Sequence, residues 1–466
     1  MAKRRNINVT DESNSVLKTI FLLAWPVFLE QIFTTLIGYA DTAMVGSLGA
    51  NATASVTISQ PILMFLNGAV MSLGVGITTL VARAVGAGDS ELVKKLMHHA
   101  IMAIVLIGLP LSGVTIALHR VIPKIMGAAP EIMDSAATYN LIVAIGRIFM
   151  TTSMMLNSAF RGYGDTKTPL IGNTMMNIVN VVFNFLLIYP TREISVFGIR
   201  FTMPGAGLEV KGAAIATAIG MAVSGLFTLW VAFFRKGDYT IHIRRGWKID
   251  PVLTKQIFRI SLPAMLERLF MSSAGIITSR SIASLGTVNV AANSLCLTAE
   301  SISFMPAFAF QTAVTTLVGQ SLGAKKPDLA TRFVRTTLIV GVIVMAFTGT
   351  GLFILARQII SIFTPDLGVI DLAAQCLRVT AFMQIPQVMG WIYAGVLRGA
   401  GDTKFNFYVT AATNWLIRTL WSVLLIRVFG FGLVATMVVT LIEEIVRLVL
   451  LYWRYRSGVW KTAIKD

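Results

Sequence analysis

The sequence predicts an all-α integral membrane protein: twelve transmembrane helices in two pseudo-symmetric six-helix lobes. Three observations carry this. Hydrophobic residues make up 55% of the 466-residue chain and charged residues only 13%, where a soluble domain carries roughly 25%. The apolar residues suffice for about a dozen spans at roughly 20 residues each. The chain also repeats itself at a constant offset of 237 residues. Such a balance excludes an ordinary soluble enzyme, which would lack polar surface to cover itself, and it excludes disorder.

Apolar runs broken by Gly, Pro and charge place the helices at 16–47, 53–82, 96–118, 132–160, 168–189, 211–234, 256–285, 289–321, 334–356, 369–397, 405–427 and 432–453. The first follows a polar tail, 1–15, that lacks the apolar core of a secretory signal. The sixth ends at a basic linker, 237–255, flanked by Arg235 and Lys236 and containing Arg244, Arg245 and Lys248. The lobes therefore cover 16–236 and 256–466. An even number of spans puts both ends on one side. With that side inside, 26 of the 39 Lys and Arg are internal, seven external and six within spans. The bias orients both termini to the cytoplasm of a cell-membrane protein. It also accounts for the net charge of +17 without nucleic acid.

The repeat is read from three markers. LAWPVFLEQ at 23–31 matches ISLPAMLER at 260–268, and Ser47-Leu48-Gly49 matches Ser284-Leu285-Gly286. Arg161-Gly162 with Gly164-Asp165-Thr166-Lys167 recurs as Arg398-Gly399 with Gly401-Asp402-Thr403-Lys404. Six spans per copy make this a parallel repeat about an axis along the membrane normal, with a substrate site near the midplane. Register breaks only beyond these markers, where the first half has 17 extra residues in its external loop near 190–210.

Hydrocarbon should not tolerate Glu30, Asp41, Glu267, Glu300, Glu443 or Glu444, since a charge at bilayer depth costs at least roughly 2.5–3.5 kcal/mol. Each must face a cavity, pair with a cation or hold a proton. Glu30 and Asp41 are eleven residues apart on helix 1 and share a face with Thr34 and Gly38. On helix 5, Asn173, Asn177, Asn180 and Asn184 form a second stripe. Asn can ligate a cation or hydrogen-bond a carboxylate, or simply join helices. Asn173 and Asn177 read as joints, while Asn180 and Asn184 stay open between the two roles. Asp41, Asn180 and Asn184 map to Thr278, Ile417 and Trp421 in the repeat, so this constellation belongs to the first half. Glu267 and Glu300 are the acidic candidates of the second, and Glu443 and Glu444 read as partners of Arg447.

Met150, Met154, Met155, Met175 and Met176 suit either membrane core or an adaptable apolar surface. Pro26, Pro61, Pro263 and Pro306 lie within the expected spans and can kink them. Pro26 is the hinge candidate because it shares helix 1 with Asp41. Cys296 and Cys376 lie in apolar runs without disulfide or metal spacing. No zinc, prenyl-diphosphate or P-loop motif occurs. The chain is accordingly read as no enzyme, without cofactor, and driven by an ion gradient.

WPVFLEQ with YADTAMVGSLG, the twinned FRGYGDTK and LRGAGDTK, and LVGQSLGA after helix 8 resemble the MATE (multidrug and toxic compound extrusion) family over residues 16–455. The resemblance implies antiport of organic, often cationic, compounds against Na⁺ or H⁺. It also implies that Asp41 is the coupling acid, with Asn157, Asn180, Asn184 and Thr217 as companions. Asp41, Asn180 and Asn184 would be the Na⁺ ligands if the ion is Na⁺. One family branch has Asp at position 184, so Asn184 removes a charge here. Another uses acids on helices 7 and 10, of which only Glu267 is present. Drugs or toxic compounds and membrane lipids are the expected partners of a monomer. The runner-up function is a flippase for lipid-linked oligosaccharides or polysaccharides, kept open by Arg147, Arg280, Arg378 and Arg418. A membrane enzyme or receptor would need a catalytic cluster or a large extramembrane domain.

Overall fold

A computed structural model describes residues 15–196, 199–235, 237, 240–241 and 249–463. The tail up to residue 14 and the linker residues Lys236, Arg244, Arg245 and Lys248 lie outside the described residues. Among the described residues, twelve membrane-length helical units follow one another. Spans 1 to 6 are Val16–Gly46; Ala50–Thr57 with Gln60–Gly86; Ser90–Ala103 continued through a π-turn into Leu109–Ala117; Pro130–Tyr163; Lys167–Leu187; and Glu209–Phe234. Spans 7 to 12 are Pro251–Ala283; Thr287–Gly323; Pro327–Ile354; Leu367–Ala400; Thr403–Ala412 continued through the π-helical turn Thr413–Thr419 into Leu420–Arg427; and Leu433–Arg456.

Nine of these are long and apolar enough to cross a membrane among the described residues, or ten with the bent span 8. Spans 10 and 12 fall short for chemical reasons. Span 10 carries Gln384, Pro386 and Gln387 at its centre, and span 12 carries Glu443, Glu444 and Arg447. Span 7 starts at Pro251, inside the expected linker, because Asp250 caps it by accepting from the amides of Val252 and Leu253.

The prolines act differently from one another. Pro61 sits in the first turn of the second segment of span 2, where a missing N–H costs nothing, so it marks a break rather than a kink. Pro306 lies inside span 8, which bends by 48° between Ser301 and Ser303. A proline ring displaces the carbonyl four residues before it, which places the bend there. Pro26 and Pro263 lie inside continuous helices.

The twinned RGxGDTK motif is helix-end chemistry. Gly164 and Gly401 close spans 4 and 10 at φ +95° and +83°, and their amides bond the carbonyls of Arg161 and Arg398. The next amides, of Asp165 and Asp402, reach back to Phe160 and Leu397 at 2.8 Å, completing a left-handed cap that favours glycine. Asp165 then accepts from the Thr168 amide at 3.0 Å to start span 5.

The extra external residues of the first half form a β-hairpin, β1 (Pro190–Val196) paired antiparallel with β2 (Ile199–Ala206). This hairpin is the one pair of strands in an otherwise all-α fold among the described residues. β-Branched residues in alternation suit strands, and the second half has no corresponding insertion.

Span 1 packs on spans 5 and 8, and span 7 packs on spans 11 and 2. The interlobe hydrogen bonds among the described residues cluster at the end that carries the Gly-Asp turns. Thr79 donates to the Arg398 carbonyl at 2.8 Å, Thr316 to that of Arg161 at 2.9 Å, and Gln320 to that of Gly162 at 3.0 Å. Gly86 lies against the Gln320 carbonyl, and its repeat mate Gly323 against that of Arg83. Any side chain there would strike backbone. We therefore expect Gly86→Leu to pry the lobes apart at this seal. A cysteine placed at Ser321, fully buried here, should then react with a water-soluble maleimide that leaves it untouched in the otherwise unchanged chain. Equal labelling in both would refute this.

Candidate functional site

Spans 1 and 5 run parallel, and their two polar stripes meet as a ladder. The Asn173 amide donates to Glu30 at 2.6 Å, and the Asn184 amide donates to Asp41 at 2.6 Å. Both rungs join residues 143 apart in sequence and lie eleven residues apart on each helix, about 16 Å along the axis. At the hairpin end, the Tyr189 hydroxyl bonds Ser47 at 2.7 Å and the Met44 carbonyl at 3.2 Å.

The Asp41 rung continues into the lobe. Asn184 also donates to the Asn180 carbonyl at 3.2 Å, and Asn180 donates to the Thr217 hydroxyl on span 6 at 3.1 Å. Asn184 is completely buried, and its side-chain carbonyl receives no donor. That oxygen and the half-buried Asp41 carboxylate form a hard-oxygen pair suited to a small cation, while the carboxylate alone can carry a proton. Four of the five first-lobe residues singled out from sequence thus gather here. Tyr139 on span 4, also buried, lies close to Thr217. It lies on a different helix, within a long apolar run, and nothing in the sequence marked it.

Asn157, the fifth, lies elsewhere. It donates to Ser153 at 3.1 Å, and Ser153 bonds Ser224 at 2.8 Å. With Glu30, it lines a cavity of about 390 Å³ between the lobes. Asp41, Asn180, Asn184 and Thr217 do not line that cavity. Met150, Met154 and Met176 do, whereas Met155 is core and Met175 is exposed.

Two ion pairs related by the repeat flank the cavity. Arg161 bonds Glu30 at 2.5 Å, and Arg398 bonds Glu267 at 2.9 Å. Each joins residues 131 apart, a spacing already present in the repeat markers. Asn406 completes the second at 2.8 Å from Glu267, one turn before the repeat position of Asn173. Asn173 thus joins spans 1 and 5, whereas the Asn177 amide has no partner among the described residues.

Glu300 is placed apart, buried in span 8 close to Gln387 of span 10. Glu443 accepts from Thr413, in the π-helical turn, at 2.7 Å. Arg447 pairs with Glu444 and lies 3.7 Å from Glu443. Of the arginines that kept a flippase open, Arg147 donates to Asn67 at 2.6 Å. Arg280 and Arg378 are exposed, and none of the four lines the cavity.

Two six-helix lobes, a cavity between them and buried polar side chains within spans define a multi-pass membrane transport protein. The MatE family model matches twice, at residues 26–186 and 263–424, and the chain belongs to this family of transporters. It is similar to the probable multidrug resistance protein NorM of Thermotoga maritima, 26% identical over 98% of this chain and 96% of that one. Among solved structures, it resembles an outward-facing multidrug resistance MATE family transporter of the MOP superfamily. The TM-score is 0.88 at 20% identity, covering 99% of this chain and 100% of the other. A MATE crystal structure in complex with MaD3S superposes with a TM-score of 0.87 at 21% identity, covering 96% and 98%.

Proposed function

We propose that this transporter is a secondary active multidrug exporter that exchanges organic compounds for Na⁺ or H⁺ by alternating access. It would sit in the cell membrane with both termini cytoplasmic. The observation that carries the reading is the Asp41–Asn184–Asn180–Thr217 chain, an intramembrane acid held on span 1 outside the central cavity. Coupling ion and cargo then occupy different places and meet through span 1, whose other rung, Glu30, lines the cavity. Binding of the ion at Asp41 changes the charge on the ladder and with it the packing of span 1. A ligand shifts such an equilibrium only by its differential affinity for the two states, and the cavity-facing half of span 1 supplies that difference. Pro26 leaves the Leu22 carbonyl without its helical donor, which makes this half the place for a bend.

In vesicles, an imposed Na⁺ or H⁺ gradient is expected to drive efflux of organic dyes, and the effective gradient names the coupling ion. Efflux unaffected by either gradient would reject the antiport reading. Accumulation equal to that of protein-free vesicles would reject export itself.

A further inference from the structure

The charged side chains that line the central cavity, among the described residues, are Glu30, Arg161, Arg268 and Arg398. Glu30 accepts from both Arg161 and Asn173 through one oxygen. Arg398 is matched by Glu267, whose two oxygens are taken by Arg398 and Asn406. Arg268 follows Glu267 directly in the helix, where neighbouring residues do not face each other. It is exposed on the cavity wall and carries no ion pair among the described residues. With the two pairs cancelled, one positive charge is left over. The guanidinium Nε–H groups of Arg161 and Arg398 are buried and have no acceptor either. The rest of the wall is apolar or neutral, with Met71, Met150, Met154, Met176 and Phe308 supplying adaptable apolar surface.

We propose that the cavity selects amphipathic organic anions, with Arg268 as the residue that sets the sign of the cargo. A carboxylate, sulfonate or phosphate would meet the Arg268 guanidinium, while the apolar body lies on the methionine and phenylalanine wall. A guanidinium binds such groups through two parallel hydrogen bonds. A cationic compound would meet uncancelled like charge in a partly desolvated site, where screening is weak. This departs from the cationic cargo that the family resemblance implies. It rests on the exporter reading only in that the cavity is taken as the cargo site.

The test uses purified full-length protein without any gradient, so that it stands apart from the antiport experiment. Binding of carboxyfluorescein, an anion, and ethidium, a cation, is followed by fluorescence anisotropy at low and high salt. Carboxyfluorescein is expected to bind at least about tenfold more tightly, which is the affinity change of about 1.4 kcal/mol. The preference should shrink with salt. Arg268→Gln should abolish it, Arg268→Glu should reverse it, and Arg268→Lys should retain most of it. Arg268 is exposed and unpaired, so these variants should melt like the unchanged chain. Tighter ethidium binding, or a preference indifferent to Arg268, would overturn the proposal. Competition by a polyprenyl diphosphate, with scrambling of that lipid in vesicles, would assign the anion to a lipid carrier. Competition by the free dye alone would assign it to a soluble compound. Anion preference without gradient-driven efflux would sink the exporter reading and leave this one standing.

Discussion

Asp41→Asn is expected to abolish gradient-driven efflux while leaving folded protein in the membrane. The substitution keeps the shape of the side chain and removes its ability to carry a charge or a proton. The Asn184 amide, now 2.6 Å from a carboxylate oxygen, would face a neutral carbonyl. Net stability lost with one such hydrogen bond is about 1.5–3 kcal/mol when the acceptor is charged, and less when a neutral acceptor replaces it. No ion pair is broken, since no cation lies within salt-bridge distance of Asp41 among the described residues. Transport should fall to the level of protein-free vesicles, with the monodisperse peak and melting temperature close to those of the unchanged chain. Dye binding in the cavity should persist, because Asp41 does not line it. Normal gradient-driven efflux by this variant would remove Asp41 from the mechanism.

Arg161→Met should act in the opposite way, on stability first. Glu30 is 4% exposed, and its one cationic partner among the described residues is Arg161. Removing one member of a buried pair strands the other charge, at a cost of about 3–5 kcal/mol. The double variant Arg161→Met with Glu30→Gln should recover most of that loss, because no stranded charge is left. Arg398→Met and Glu267→Gln should behave alike, as the pair repeats at 2.9 Å in the second lobe. Thermal unfolding in detergent checks both series. A single variant that melts like the unchanged chain would show that these pairs contribute little to the fold.

Much of the architecture was legible in the linear chain because its determinants are local. A span is legible from about twenty neighbouring residues, a helix end from Gly164-Asp165 or Gly401-Asp402, and a duplication from a constant offset. The polar stripes of helices 1 and 5 followed from spacing on one helix. Helical spacing says which residues share a face but not which helix that face meets. The pairing of Glu30 with Arg161 and of Asp41 with Asn184 therefore needed the folded protein. Spans 10 and 12 illustrate the converse. Their polar residues lower the hydropathy of each helix taken alone, and only burial against neighbouring spans explains how they are tolerated.

The external loop marks the boundary between these two kinds of information. Its excess of 17 residues could be counted, but strand pairing between 190–196 and 199–206 is a contact between segments. Sequence by itself determined the number of spans, the duplication, the two helix ends marked by the Gly-Asp turns and the set of intramembrane acids. Tertiary structure alone decided that the acids part company. Glu30 faces the cavity, Glu267 stands behind Arg398, Glu300 is buried near Gln387, and Asp41 sits in a separate hydrogen-bonded chain. It also decided that Arg268 is, among the described residues, the cavity-lining cation without an ion pair. The reason is physical: charge balance in a cavity is a sum over side chains from many helices, and no single helix carries that sum.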